Sequence, residues 1–191
     1  MGLLAREPLM ARGKHLLEKV ISILETACPI FIMLGNRARK HSPDAPIPVI
    51  GSLSNISITN VTAKTTQKVT SNITGIPNKS AENIYLGNIL IINHSKGTLA
   101  DANLKVPENL TGYPTFNMLG NILPASGFYV RHIKNITFDN VRLITSDEEQ
   151  RPAFVFVDVD GAVLLHPQIQ PTNQVELCKE ISSKNIKIIK L

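Results

Sequence analysis

The phrase Asn55-Ile56-Ser57-Ile58-Thr59-Asn60-Val61 decides how this chain is read, because it returns. Asn83-Ile84-Tyr85-Leu86-Gly87-Asn88-Ile89 repeats it, and Asn135-Ile136-Thr137-Phe138-Asp139-Asn140-Val141 repeats it again. A partial copy, Asn185-Ile186-Lys187-Ile188, follows near the end. The leading asparagines are 28, 52 and 50 residues apart, and the last two offsets are close to twice 26 and twice 25. One period of about 25 to 28 residues therefore accounts for all four copies. Each copy alternates apolar and polar residues, the two-residue period of a half-buried strand, with Ile56, Ile58 and Val61 on or near the inward side.

A short strand per period, joined by turns, is the pattern of a solenoid. No single unit can bury its own apolar face, so neighbours must stack. Asparagine suits the corners because it tolerates left-handed backbone and its amide can bond to the next copy. Leucine-rich repeats would need leucines at fixed positions that are missing here, helical repeats a period of 3.6, and a left-handed hexapeptide helix a six-residue beat. The expected class is all-β, a single-stranded parallel β-helix forming a partial solenoid; a β-sandwich stays open.

The flanks differ. Over residues 1–28, Leu16, Leu17, Val20, Ile21 and Leu24 fall at helical spacing with Glu18, Lys19 and Glu25 for the other face, which predicts a short N-terminal amphipathic helix ended by Pro29. Such a helix could cap an exposed end of the stack. Residues 29–191 form the β-helix portion. Ile30 to Leu34 reads as a buried strand, residues 42–48 as a proline-rich loop, and residues 94–127, with Gly97, Pro107, Gly112, Pro114, Gly120, Pro124 and Gly127, as a long loop of the functional or disordered kind.

The chain has 191 residues, 43% of them apolar, and no Trp. This is enough for one domain with a core. The formal charge of +5 fits an anionic partner but does not choose between nucleic acid, membrane surface and polyanionic sugar. Nucleic acid gains no further support, since no helix-turn-helix, zinc-finger or aromatic-basic strand pattern is present. Neither an export signal nor a membrane span is read, because charges interrupt Leu16 to Leu24 and no apolar run is long enough. Cys28 and Cys178 make no metal spacing and read as buried thiols. Seven Asn-x-Ser/Thr triplets, at Asn55, Asn60, Asn72, Asn78, Asn93, Asn109 and Asn135, read as corner asparagines rather than glycan acceptors.

Several stretches resemble the family 28 glycoside hydrolases, the polygalacturonase-like, pectin-degrading enzymes. They are Pro29-Ile30-Phe31-Ile32-Met33-Leu34-Gly35-Asn36-Arg37, Val106-Pro107-Glu108, Tyr113-Pro114, the run from Leu123 to His132, Ile136 to Val141, and Arg151-Pro152-Ala153-Phe154. The likeness runs from about Pro29 to about Leu165 and is to the C-terminal portion of such an enzyme. It implies a right-handed parallel β-helix, secretion or a periplasmic location for the parent family, and hydrolysis of pectic polysaccharide or oligogalacturonide without metal or organic cofactor. Inverting hydrolysis needs two positioned carboxyl groups, one donating a proton and one activating water. The family's signatures for these include an Asp-Asp pair and a Gly-His-Gly, and the sequence contains neither. No catalytic residue is carried over, and the chain alone is expected to be inactive. A carbohydrate-binding or adhesive β-helix that grips but does not cut is the alternative.

The substrate-binding candidates are Arg131, His132 and Tyr113 beside the long loop, and Arg37, Arg39 and Lys40 after the first strand, since guanidinium groups grip carboxylates in a bidentate fork. Arg131 could instead pair with Glu108 or Asp139 and close the loop. Arg37, Arg39 and Lys40 could be a solvated turn. Asp158 and Asp160, two residues apart on a strand, would point the same way, either as an acid/base pair or as a solvated pair before Gly161.

Overall fold

The computed structural model describes residues 15–17, 23–171 and 176–190. Almost all the regular structure is strand: β1 (His15–Leu17), β2 (Ile23–Glu25), β3 (Phe31–Met33), β4 (Ser54–Thr65), β5 (Ser71–Thr74), β6 (Ala81–Asn93), β7 (Phe128–Thr145), β8 (Phe154–Leu165), β9 (Gln168–Gln170), β10 (Cys178–Ile181) and β11 (Lys184–Ile189). One four-residue helix, α1 (Leu99–Ala102), interrupts them. The strands form one curled sheet whose strand pairs are parallel.

The repeated phrase stacks on itself in register. Ile56 pairs with Ile84, Ile84 with Ile136, Ile136 with Ala162, and Ala162 with Ile186. The next row runs Ile58, Leu86, Phe138 and Leu164, all buried, and ends on the exposed Ile188. Phe138 meets Phe128 and Phe154 edge-on at 4.9 and 5.1 Å between centroids, and Phe154 stacks on Phe156. These side chains are fully buried, and such aromatic packing adds to the area removed from water.

The sheet bends where residues adopt left-handed backbone, and those residues align. One line holds Asn55, Asn83, Asn135, Gly161 and Asn185; a second holds Asn60, Asn88, Asn140 and His166; a third holds His132, Asp158 and Ser182. In the first line Asn83 donates to Asn55 and Asn135 to Asn83, each at 3.3 Å. In the second Asn88 donates to Asn60 at 3.3 Å and Asn140 to Asn88 at 2.9 Å. Asparagine thus serves a backbone need and a strand-to-strand bond at once.

Two expectations change. First, the predicted N-terminal helix is strand at both of its described ends. β1 pairs with Ile56 to Ile58, and β2 with Thr62 to Lys64, while residues 18–22 lie outside the described residues. The open edge of β4 pairs with both described pieces, residues 15–17 and 23–25. Second, the 52-residue offset is one tier rather than two, since β6 pairs directly with β7 and residues 94–127 are a long excursion within that tier. The 50-residue offset spans two steps, as its length predicts, and the copy between them is β8. Gly161, at φ +86, stands there where asparagine stands elsewhere; a Cβ would lie 2.9 Å from Asn135 Oδ1. The predicted strand near Ile30 is found as β3, paired with β5.

The excursion is ordered by a second apolar cluster. Phe31, Met33, Tyr129 and Val155 face outward from the sheet, and Leu119, Leu123, Val106 and Met118 cover them. At its root lies an ion pair with both side chains fully buried. Arg151 donates from Nε to Glu149 Oε1 at 2.8 Å and from Nη2 to Oε2 at 2.7 Å. The remaining guanidinium contacts are Lys68 O, Leu123 O and Ser95 Oγ, while Glu149 also accepts from the Gly97 and Arg151 amides.

Candidate functional site

Two of the sequence candidates, Arg131 and His132, meet the loop after α1 where it crosses the sheet. β7 carries Arg131 on its last residue before the corner and His132 on the corner itself, at φ +54. Arg131 is only 3% exposed. Its Nη1 donates to Val106 O at 2.9 Å and lies 3.2 Å from Glu108 Oε1, and Nη2 donates to Pro107 O at 3.3 Å. The loop-closing role is therefore the one its geometry fits. His132 is held between two carboxylates, with Nδ1 2.6 Å from Asp158 Oδ2 and Nε2 3.0 Å from Glu108 Oε1.

Asp158 and Asp160 do not act as a pair. The left-handed corner at Asp158, φ +51, turns the chain between them. Asp158 meets His132, whereas Asp160 accepts from Asn185 at 2.8 Å and pairs with Lys184 at 3.2 Å. Those bonds hold the Asp160 carboxyl below its ordinary pKa. The strand-spacing expectation failed because the strand bends at its own midpoint. Glu108 and Asp158 each engage a different nitrogen of the His132 ring.

Beside this cluster lies a basic ledge. The Asn36 amide donates to Leu110 O at 2.9 Å, which sets Arg37 against the loop, its guanidinium carbon 4.8 Å above the Tyr113 ring. Tyr113 is half-exposed; Arg39 and Lys40, two and three residues after Arg37, are exposed, with Lys40 Nζ reaching Pro43 O at 3.4 Å. A planar cation on an aromatic face, followed in the chain by two exposed cations, can hold an anionic, partly apolar ligand.

The cysteines divide. Cys28 is buried, and burial pushes its thiol up to about 12 despite backbone hydrogen bonds. Cys178 is half-buried rather than buried; burial first, then Glu180 and Glu176, push it up to about 12 as well. Among the described residues no cluster of three or more His, Cys, Asp or Glu could hold a metal ion, and no helix is long and apolar enough to cross a membrane. Sequence reasoning missed Glu149 as the partner of Arg151; Arg151 was visible only as part of a phrase, and nothing local marks a buried pair two residues apart.

No family model matches the chain, and neither a curated protein nor a solved structure matches it.

Proposed function

We propose that the chain is a portion of a right-handed, single-stranded parallel β-helix of the polygalacturonase-like kind, corresponding to tiers beyond the catalytic ones, and that it binds pectic oligosaccharide without cutting it. The observation that carries this reading is the tier-to-tier register, in which Asn55, Asn83 and Asn135 stack at left-handed corners. That register supports the resemblance seen in the phrases around Pro29, Leu123 and Ile136, and parallel crossovers of this type are right-handed as a rule. The ligand-binding groups are Arg37, Arg39, Lys40 and Tyr113, whose charge suits a galacturonate chain. Arg131 and His132 position the loop that carries Tyr113. The gripping, non-cutting alternative gains support from one contact set: both carboxylates of the loop cluster are bonded to His132.

The test is release of reducing sugar from polygalacturonate and rhamnogalacturonan by the folded chain, run beside calorimetric titration with tetragalacturonate. The expected result is no hydrolysis, with binding that weakens in salt and in Arg37→Ala. Sustained hydrolysis would overturn the non-catalytic reading, and absence of tetragalacturonate binding would overturn the pectic one.

A further inference from the structure

The outer face of β4, β6, β7 and β8 carries a cluster that the basic ledge does not use. Tyr85 and Gly87 take successive outward positions on β6, and Gly87 is in register with Asp139 of β7. The Tyr85 ring lies down along its own strand. A Cβ on Gly87 would sit 2.8 Å from Tyr85 Cε1 and 3.1 Å from Cζ, so only glycine leaves the ring this low. At its tip the hydroxyl donates to Asp139 Oδ2 at 2.8 Å. That bond, then burial and the carboxylate charge, raise the phenol above its ordinary pKa. The ring is fixed at two points yet remains 37% exposed.

Polar groups border it. Ser57 and Thr137 flank Tyr85 in the cross-strand row, His166 Nδ1 lies 4.0 Å from Asp139 Oδ1, and Asn88 and Asn140 mark the adjoining corner. We propose that Tyr85, Gly87 and Asp139 form a stacking platform for a neutral pyranose, a second saccharide site distinct from the basic ledge. The apolar face of the sugar packs on the ring, and its hydroxyl rim donates to Asp139 and accepts from Ser57 and Thr137. The negative charge of Asp139 selects against a uronate and for an uncharged sugar. This inference rests on the reading of the chain as a polysaccharide binder, and it adds a ligand class to it.

Titrating the full chain with galactotetraose and, separately, with tetragalacturonate tests it. Tyr85→Ala is expected to weaken galactotetraose about tenfold and leave tetragalacturonate unchanged. Gly87→Ala, which lifts the ring without deleting it, is expected to weaken galactotetraose to a lesser degree, while Arg37→Ala affects tetragalacturonate alone. The inference is overturned if wild type does not bind galactotetraose, or if Tyr85→Ala, checked as folded by its melting curve, leaves that binding intact. Failure of tetragalacturonate alone would count against the basic ledge and not against this platform.

Discussion

At the scale of single residues, two devices hold the molecule together. The first is the Glu149–Arg151 pair, with both side chains at 0% exposure and every oxygen and terminal nitrogen bonded. Breaking one partner strands a buried charge, so Glu149→Gln and Arg151→Met are each expected to cost about 3–5 kcal/mol, read by urea unfolding. The double variant should cost clearly less than the two singles combined. Burial by itself would raise the Glu149 carboxyl, but the Arg151 bonds and charge and the backbone amides outweigh it, and its pKa is lowered. Its stabilisation is therefore complete above the ordinary carboxylate value of about 4.3 and is lost as pH falls through the lower folded value. The wild-type melting temperature should drop more steeply than that of the double variant below about pH 4. The second device is the left-handed corner. Asn88→Ala should cost about 1–2 kcal/mol of backbone strain plus the bonds to Asn60 and Asn140, and Asn88→Gly should recover the strain but not the bonds.

At the scale of elements, the long excursion between β6 and β7 behaves as a strap whose first half is fastened at two points. One fastening is Asp101 of α1, which pairs with Lys68 at 2.8 Å and closes a capping box on Thr98. The other is Arg131, whose fork holds Val106 O and Pro107 O while Glu108 engages His132. Arg131→Lys keeps the charge and loses the fork. It is expected to speed proteolytic cleavage within residues 104–113 severalfold while shifting the melting temperature only slightly, because the Leu119 and Leu123 contacts persist. The sequence made this loop visible by its glycines and prolines. What it left hidden was that the loop is ordered, because the cover that Leu119, Leu123 and Met118 place on Phe31 and Tyr129 joins residues far apart in the chain. The strands of the repeated phrase were legible for the opposite reason: their period is local. The N-terminal segment was misread because leucines at helical spacing also suit a strand when an open edge is waiting for it.

For the whole molecule, the copies at Asn55, Asn83, Asn135 and Asn185 were enough to foresee a stack of parallel strands. They could not fix the number of tiers, because Gly161 replaces the marker asparagine and a 34-residue excursion, residues 94–127, mimics an extra period. A stack of this kind always presents end strands, and at one end lies β11. Among the described residues β11 pairs only with β8, so its other edge is open, and Ile181, Ile188 and Ile189 lie exposed around it. An open edge with exposed isoleucines is a template for pairing with other chains. Lys184 and Lys187 sit on β11 itself, with Lys190 just beyond, which places like charges opposite one another whenever two such edges approach. The triple substitution Lys184→Thr, Lys187→Thr and Lys190→Thr should therefore leave the melting temperature nearly unchanged while speeding aggregation, followed by light scattering at constant protein concentration. Raising salt should accelerate wild type toward the rate of the variant, since screening shortens the reach of the lysines to about 3 Å at 1 M. Equal aggregation rates for the two proteins at low salt would mean that the lysines do not guard this edge.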